Sequence, residues 1–106
     1  MTLPESIAAY FASEPDATEG ALASIFTANA VVHDEGKEHR SLDAIRNWRI
    51  DTMRRTPFTA RPLSIAEKDG VVTVPTEVAG SFPGSPLTLN HCSTLRDGRV
   101  AALEIG

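Results

Sequence analysis

The sequence predicts an α+β domain: three helices packed on one face of a curved, mainly antiparallel sheet. Three observations carry this. Apolar residues recur at helical intervals through most of the first 56 positions, and from Phe58 they alternate to the end. The alternating part is broken at Lys68-Asp69-Gly70, Pro83-Gly84-Ser85-Pro86 and Asp97-Gly98, each a strong turn signal. Connections this short join neighbouring antiparallel strands, and helices followed by a strand meander define the class.

Each element has its own justification. Thr2 and Glu5 stand three apart, which fits a capping box, with Pro4 tolerated in the first turn. Ile7, Tyr10 and Phe11 then form one stripe on a helix expected to end near Pro15. Asp16 and Glu19 repeat the capping pattern and open a second helix, whose buried face is Leu22, Ile25 and Phe26 and whose end falls near Asn29. Ala30 to Asp34 reads as a short strand, since Val31 and Val32 are β-branched, and Gly36 marks a turn before Lys37 to Arg40. Ser41 is a good N-cap and Asp43 suits the first turn of a third helix carrying Ile45, Trp48, Thr52 and Met53 on one side. That helix stops before Pro57, because a residue preceding proline avoids the helical region. Four strands follow: Phe58 to Glu67, Val71 to Phe82, Leu87 to Arg96 and Arg99 to Ile105.

A chain of 106 residues forms a single domain, 1–106, with no internal repeat or linker. Hydrophobic residues at 42% and charged residues at 23% sit near the globular average and exclude global disorder. A formal charge of -4 argues against nucleic acid as a partner. Arg46, Arg49, Arg54 and Arg55 do cluster, but cations late in a helix oppose its dipole and are expected to stay solvated. Cys92 is the one cysteine, so no disulfide forms within the chain, and it reads as a small packing residue. The stretch MTLPESIAAYFASEP has no basic segment before its short apolar run, so neither signal peptide nor membrane span is expected, and a cytoplasmic location is the default.

Potential chemistry is densest between Phe26 and Trp48, where His33, Asp34, Glu35, Glu38 and His39 stand close together. Asp34 has two readings: a carboxylate facing a pocket, or a polar residue ending a strand at a surface turn. A metal site is disfavoured, because alternation puts His33 and Glu35 on the face opposite Asp34 and the ligand spacing fits no known pattern. Trp48 reads as core or pocket wall. Glu77 has no assignable face. No nucleophile elbow and no glycine-rich phosphate loop is present.

Ile25-Phe26, Ala30-Val31-Val32-His33-Asp34 and Ala44-Ile45-Arg46-Asn47-Trp48, in this order and spacing, resemble the nuclear transport factor 2-like superfamily. The resemblance is to its small SnoaL-like and ketosteroid isomerase-like members and covers nearly the whole chain. It implies a cone, in which the bent sheet wraps the helices and leaves an apolar pocket at the open end. In the isomerases a carboxylate after the first strand is the general base, and Asp34 matches that position. They also place a protonated aspartic acid before a histidine on a late strand, as an oxyanion donor; Asn90-His91 stands there, and an amide donates a weaker bond. Their second donor is a tyrosine of the first helix, where this chain has Ile7, with Tyr10 one turn away. Steroid isomerisation itself is therefore not implied.

The expectation is a cofactor-independent acid/base enzyme, isomerase- or cyclase-like, acting on a small apolar or amphipathic carbonyl compound. Asp34 and Asn90 would be catalytic, while Tyr10, Phe26 and Trp48 would contact the substrate. The alternative is a non-catalytic ligand- or partner-binding module of the same fold. Water addition to an epoxide would need an Asp-Arg-Asp constellation that cannot be assembled here. Because Val71 to Phe82 is apolar on both faces and similar proteins pair through the outer sheet surface, a homodimer is also expected.

Overall fold

Three two-residue turns set the sheet. Glu35-Gly36, Asp69-Gly70 and Asp97-Gly98 all have positive φ at both positions, the backbone that matches the twist of the flanking strands. In the computed structural model, which describes residues 1–106, they join three antiparallel hairpins. The elements are α1 (Glu5–Ala12), α2 (Glu19–Ala23), β1 (Phe26–Asp34), β2 (Lys37–Arg40), α3 (Leu42–Arg55), β3 (Phe58–Pro62), β4 (Ala66–Lys68), β5 (Val71–Gly80), β6 (Leu87–Arg96) and β7 (Arg99–Ile105). The sheet runs β2-β1-β7-β6-β5-β3, with β4 also on β5. Every pairing is antiparallel except β1 with β7. The α+β class and the three helices on a mainly antiparallel sheet are as the sequence predicts.

Several boundaries differ. Helix α2 ends six residues before the expected Asn29, and Phe26 instead begins β1, where it aligns with Val100 of β7. The apolar pair Ile25-Phe26 satisfies either period, and the long-range pairing with β7 decides. The capping boxes do not form as expected. Pro4 precedes α1 with no side-chain cap, and Thr18, not Asp16, caps α2 by accepting from the Ala21 amide at 3.1 Å. Ser41 does cap α3, accepting from the Ala44 amide at 3.3 Å. The strand expected over Phe58 to Glu67 divides into β3 and β4, and β5 stops at Gly80, two residues early. A Cβ at Gly80 would lie 2.4 Å from the Pro57 carbonyl, so only glycine fits this crossing.

The core lies between the helices and the inner face of the sheet. Leu22, Phe26, Ile45, Val32, Val72 and Leu103 are among its buried members. Two arginines expected in solvent are instead structural. From α3, Arg46 donates to the carbonyls of Ala17 (3.0 Å) and Asp16 (3.3 Å), and Arg49 to those of Glu14 (3.1 Å) and Ser13 (3.3 Å). They fasten the α1–α2 connection, whose carbonyls have no ladder to join. No helix is long and apolar enough to cross a membrane.

Candidate functional site

Strand alternation aims one side chain in two at the helices. On β1 the inward set is Ala30, Val32 and Asp34, and on β6 it includes Leu87, Leu89 and His91. Past the packed core these inward positions line a cavity of about 590 Å³ between α1, α3 and the sheet. Eleven of its 21 lining residues are hydrophobic, among them Phe11, Met53, Phe58, Phe82 and Leu89. Polar chemistry is concentrated at Tyr10, Asp34, Arg49, Thr52 and His91.

Asp34 ends β1 on the cavity wall, half-buried, and its Oδ2 accepts a hydrogen bond of 3.1 Å from the indole Nε1 of Trp48. Trp48 is 9% exposed, and its ring is stacked at 5.6 Å on His39, which β2 places opposite Val32 on the same inner face. The sequence therefore brings a carboxylate and a rigid indole donor together from positions fourteen apart. Glu35 also reaches the cavity rim, contrary to the expected alternation, because its positive φ takes it out of the strand. His33 faces the other way, with Nε2 at 3.5 Å from Glu38 in an exposed pair.

Tyr10 reaches the cavity from α1. Burial pushes its phenol up to about 12; the Arg49 guanidinium, 5.1 Å over its ring, acts in the opposite direction, and the Asp34 carboxylate adds to the rise. The hydroxyl therefore keeps its proton at any physiological pH.

Two expected site residues are not on the cavity wall. Phe26 is 0% exposed and lies behind Tyr10 with ring centroids 6.0 Å apart, so it packs the core and supports the wall from the rear. Asn90 is exposed on the outer face of β6; its backbone N–H donates to the Gly106 carbonyl at 2.8 Å and its backbone carbonyl accepts from the Gly106 N–H at 3.0 Å. A strand side chain one position out of phase with Leu89 and His91 cannot turn inward. The neighbouring His91 occupies the cavity instead, 6% exposed, against the rings of Phe11 (5.4 Å) and Tyr10 (6.2 Å). Burial lowers its pKa, opposed by the Leu89 carbonyl and the Asp34 carboxylate. The phase set by Leu87 and Leu89 was the signal that could have selected His91 over Asn90. Glu77 lies on the outer face of β5, paired with Arg61 at 3.2 Å.

No family model and no curated protein matches the chain. Among solved structures it is similar to a candidate polyketide cyclase from Sinorhizobium meliloti, with 36% identity over 98% of this chain and 95% of that one and a TM-score of 0.89. A protein with a ketosteroid isomerase-like fold from Catenulispora acidiphila, in complex with trimethylamine, shares 18% identity over 99% and 86% of the two chains, with a TM-score of 0.79. A candidate isomerase of the SnoaL-like family from Agrobacterium tumefaciens shares 9% identity over 94% and 92%, with a TM-score of 0.77.

Proposed function

Since the chain belongs to the SnoaL-like, ketosteroid isomerase-like group of the nuclear transport factor 2-like superfamily, we propose that it is a cofactor-independent acid/base enzyme acting on a small apolar carbonyl compound. The observation that carries this is Asp34 on the wall of a largely apolar cavity, with one carboxylate oxygen held by Trp48. A base must be oriented as well as basic, and a rigid indole donor fixes the carboxyl plane.

In this reading Asp34 takes the proton from the carbon next to the carbonyl. The C–H electron pair becomes a C=C bond, and the carbonyl π pair moves to the oxygen. The Tyr10 hydroxyl, which keeps its proton, donates to that oxygen. Protonated Asp34 then returns its proton, either to another carbon (isomerisation) or to the oxygen formed when the enolate carbon closes on a second carbonyl (cyclisation). The cyclase and isomerase assignments of similar proteins support this class of chemistry. Trp48 forms part of the wall. The protein works as a cytoplasmic homodimer, paired through the outer sheet surface around Val71 and Ala79; a monomeric mass by light scattering at micromolar concentration would contradict the dimer.

The test pairs a turnover assay on a panel of small cyclic ketones and diketones with calorimetric titration of 2-naphthol, a flat enolate mimic. Asp34→Asn keeps the shape and removes the base. It should lower turnover by about 10²–10⁴-fold while 2-naphthol binds as well or more tightly. Full activity in Asp34→Asn would sink the mechanism. Binding of 2-naphthol with no turnover of any carbonyl compound by wild type would favour a ligand-holding module.

A further inference from the structure

Arg49 is the one arginine on the cavity wall that no carboxylate of the protein neutralises. The other, Arg55, pairs with Asp51 at 2.8 Å. Arg49 enters no ion pair, and its bonds go to neutral carbonyls: Nη1 donates to Glu14 at 3.1 Å and Nη2 to Ser13 at 3.3 Å. Arg46, three positions earlier on α3, ties the same connection to the helix through the Asp16 and Ala17 carbonyls, yet it does not line the cavity. Anchoring accounts for Arg46. It does not account for the place of Arg49, half-buried on a largely apolar wall with its guanidinium 5.1 Å over the Tyr10 ring. A charge in such surroundings is costly unless an opposite charge faces it. Nor does the cation serve to ionise the phenol, whose pKa is still pushed up to about 12.

We propose that Arg49 binds an acidic group of the substrate, a carboxylate in the simplest case, so that the cavity selects a carbonyl compound bearing an acid over a neutral one. This rests on the proton-transfer reading of the same cavity. The planar guanidinium keeps N–H groups beyond those the two carbonyls engage, and its fork matches a carboxylate. The carbonyls and the Tyr10 ring hold it in place before any ligand arrives, so little side-chain freedom is lost on binding. Arg49 and Asp34 both act on Tyr10, in opposite directions, so cation, phenol and base share one polar region. Asp34 nevertheless accepts from Trp48 and forms no ion pair with Arg49. The base stays free to take a proton, and the cation stays free to take an anion. Arg49 also offsets the repulsion between an acidic substrate and Asp34, which would otherwise keep such a substrate out. Glu35, the other carboxylate on the wall, is exposed at the rim, where solvent ions screen it.

The test uses probes that keep the ring and hydroxyl of 2-naphthol and add an acid: 3-hydroxy-2-naphthoic acid and 6-hydroxy-2-naphthoic acid, each beside its methyl ester. Binding is read by calorimetric titration. In wild type at least one acid should bind about tenfold more tightly than its ester, and added salt should weaken the acid while leaving the ester unchanged. Arg49→Met should erase that preference while ester affinity persists, which shows that the cavity is still formed. Arg49→Lys should keep part of it, as charge without the fork. Arg46→Met loses the same kind of carbonyl anchor and should keep all of it, which separates loss of the charge from loosening of the α1–α2 connection. Acids that bind no more tightly than their esters in wild type, or a preference that survives Arg49→Met, would overturn the proposal. If the methionine variant does not fold, a preference undiminished in Arg49→Lys and insensitive to salt would overturn it equally. None of these results touches Asp34 as the base. Asp34→Asn should retain the acid preference; full turnover in that variant would remove the proton-transfer reading and leave the acid site standing.

Discussion

At one end of strands β5 and β6 the inward residues Val72, Val74 and Ser93 are sealed in the core. At the other end, on the same strands and in the same phase, Val78, Leu87, Leu89 and His91 border a cavity of about 590 Å³. The closed end holds Leu22, Phe26 and Ile45 with no exposed surface. Of the three buried polar atoms without a partner, Thr52 Oγ1 and His91 Nδ1 belong to residues lining the cavity, and Ser6 Oγ does not. One alternation pattern thus builds both a load of packed apolar surface and a binding space. The difference comes from what the helices place over each end. The closed end supplies stability, and the open end keeps polar groups that the fold leaves unpaired.

The largest expected difference between the ends is in packing. Ile45→Ala at the closed end should cost about 2–5 kcal/mol, because it opens a void the surroundings cannot fill. Leu89→Ala at the open end should cost less than about 1.5 kcal/mol and should mainly weaken 2-naphthol binding, since it enlarges a space already present. Urea melts of the two variants check this, and equal losses would erase the distinction. Next in size is the Tyr10 phenol. It is the chain's one tyrosine, so alkaline absorbance titration reads it alone. The midpoint should fall near 12 in the folded protein and return toward 10 on unfolding. Because the folded value is the higher, its contribution to stability is complete below pH 10 and is lost as pH rises through about 12. Arg49→Met should move the midpoint higher still, by removing the cation that opposes the shift. The smallest effect is at His91. Its folded pKa is lowered, so its contribution is present above pH 6.5 and is lost as pH falls through the folded value. The acid limb of the stability curve should flatten in His91→Gln.

The order of elements was readable because the turns carry it. Asp69-Gly70 and Asp97-Gly98 supply the positive φ values that a two-residue hairpin demands, and Pro57 closes α3. The sequence left Asp34 open between a pocket and a surface turn; its place on the cavity wall follows from continuing the inward phase of Ala30 and Val32 to the end of the strand. What escaped depends on contacts distant in sequence. The parallel pairing of β1 with β7 turns Ile25-Phe26 from helix to strand approach, and no local pattern announces it. The carbonyls of the α1–α2 connection recruit Arg46 and Arg49 across about thirty residues, which charge patterning alone reads as solvent exposure. Asn90 differs in kind: the family motif points to it, whereas the phase of Leu87 and Leu89 turns it outward, and phase is the stronger physical constraint.

The central claim, that Asp34 removes a proton from carbon inside the cavity, can be tested without knowing the natural product. Exchange of the protons next to the carbonyl of 2-tetralone, a small apolar ketone, is followed by NMR in D₂O with wild type, Asp34→Asn and Leu89→Ala. Wild type should accelerate exchange over buffer. Asp34→Asn should lose about 10²–10⁴-fold of that acceleration, whereas Leu89→Ala should lose it only in proportion to weaker binding. Equal exchange rates in wild type and Asp34→Asn would contradict it.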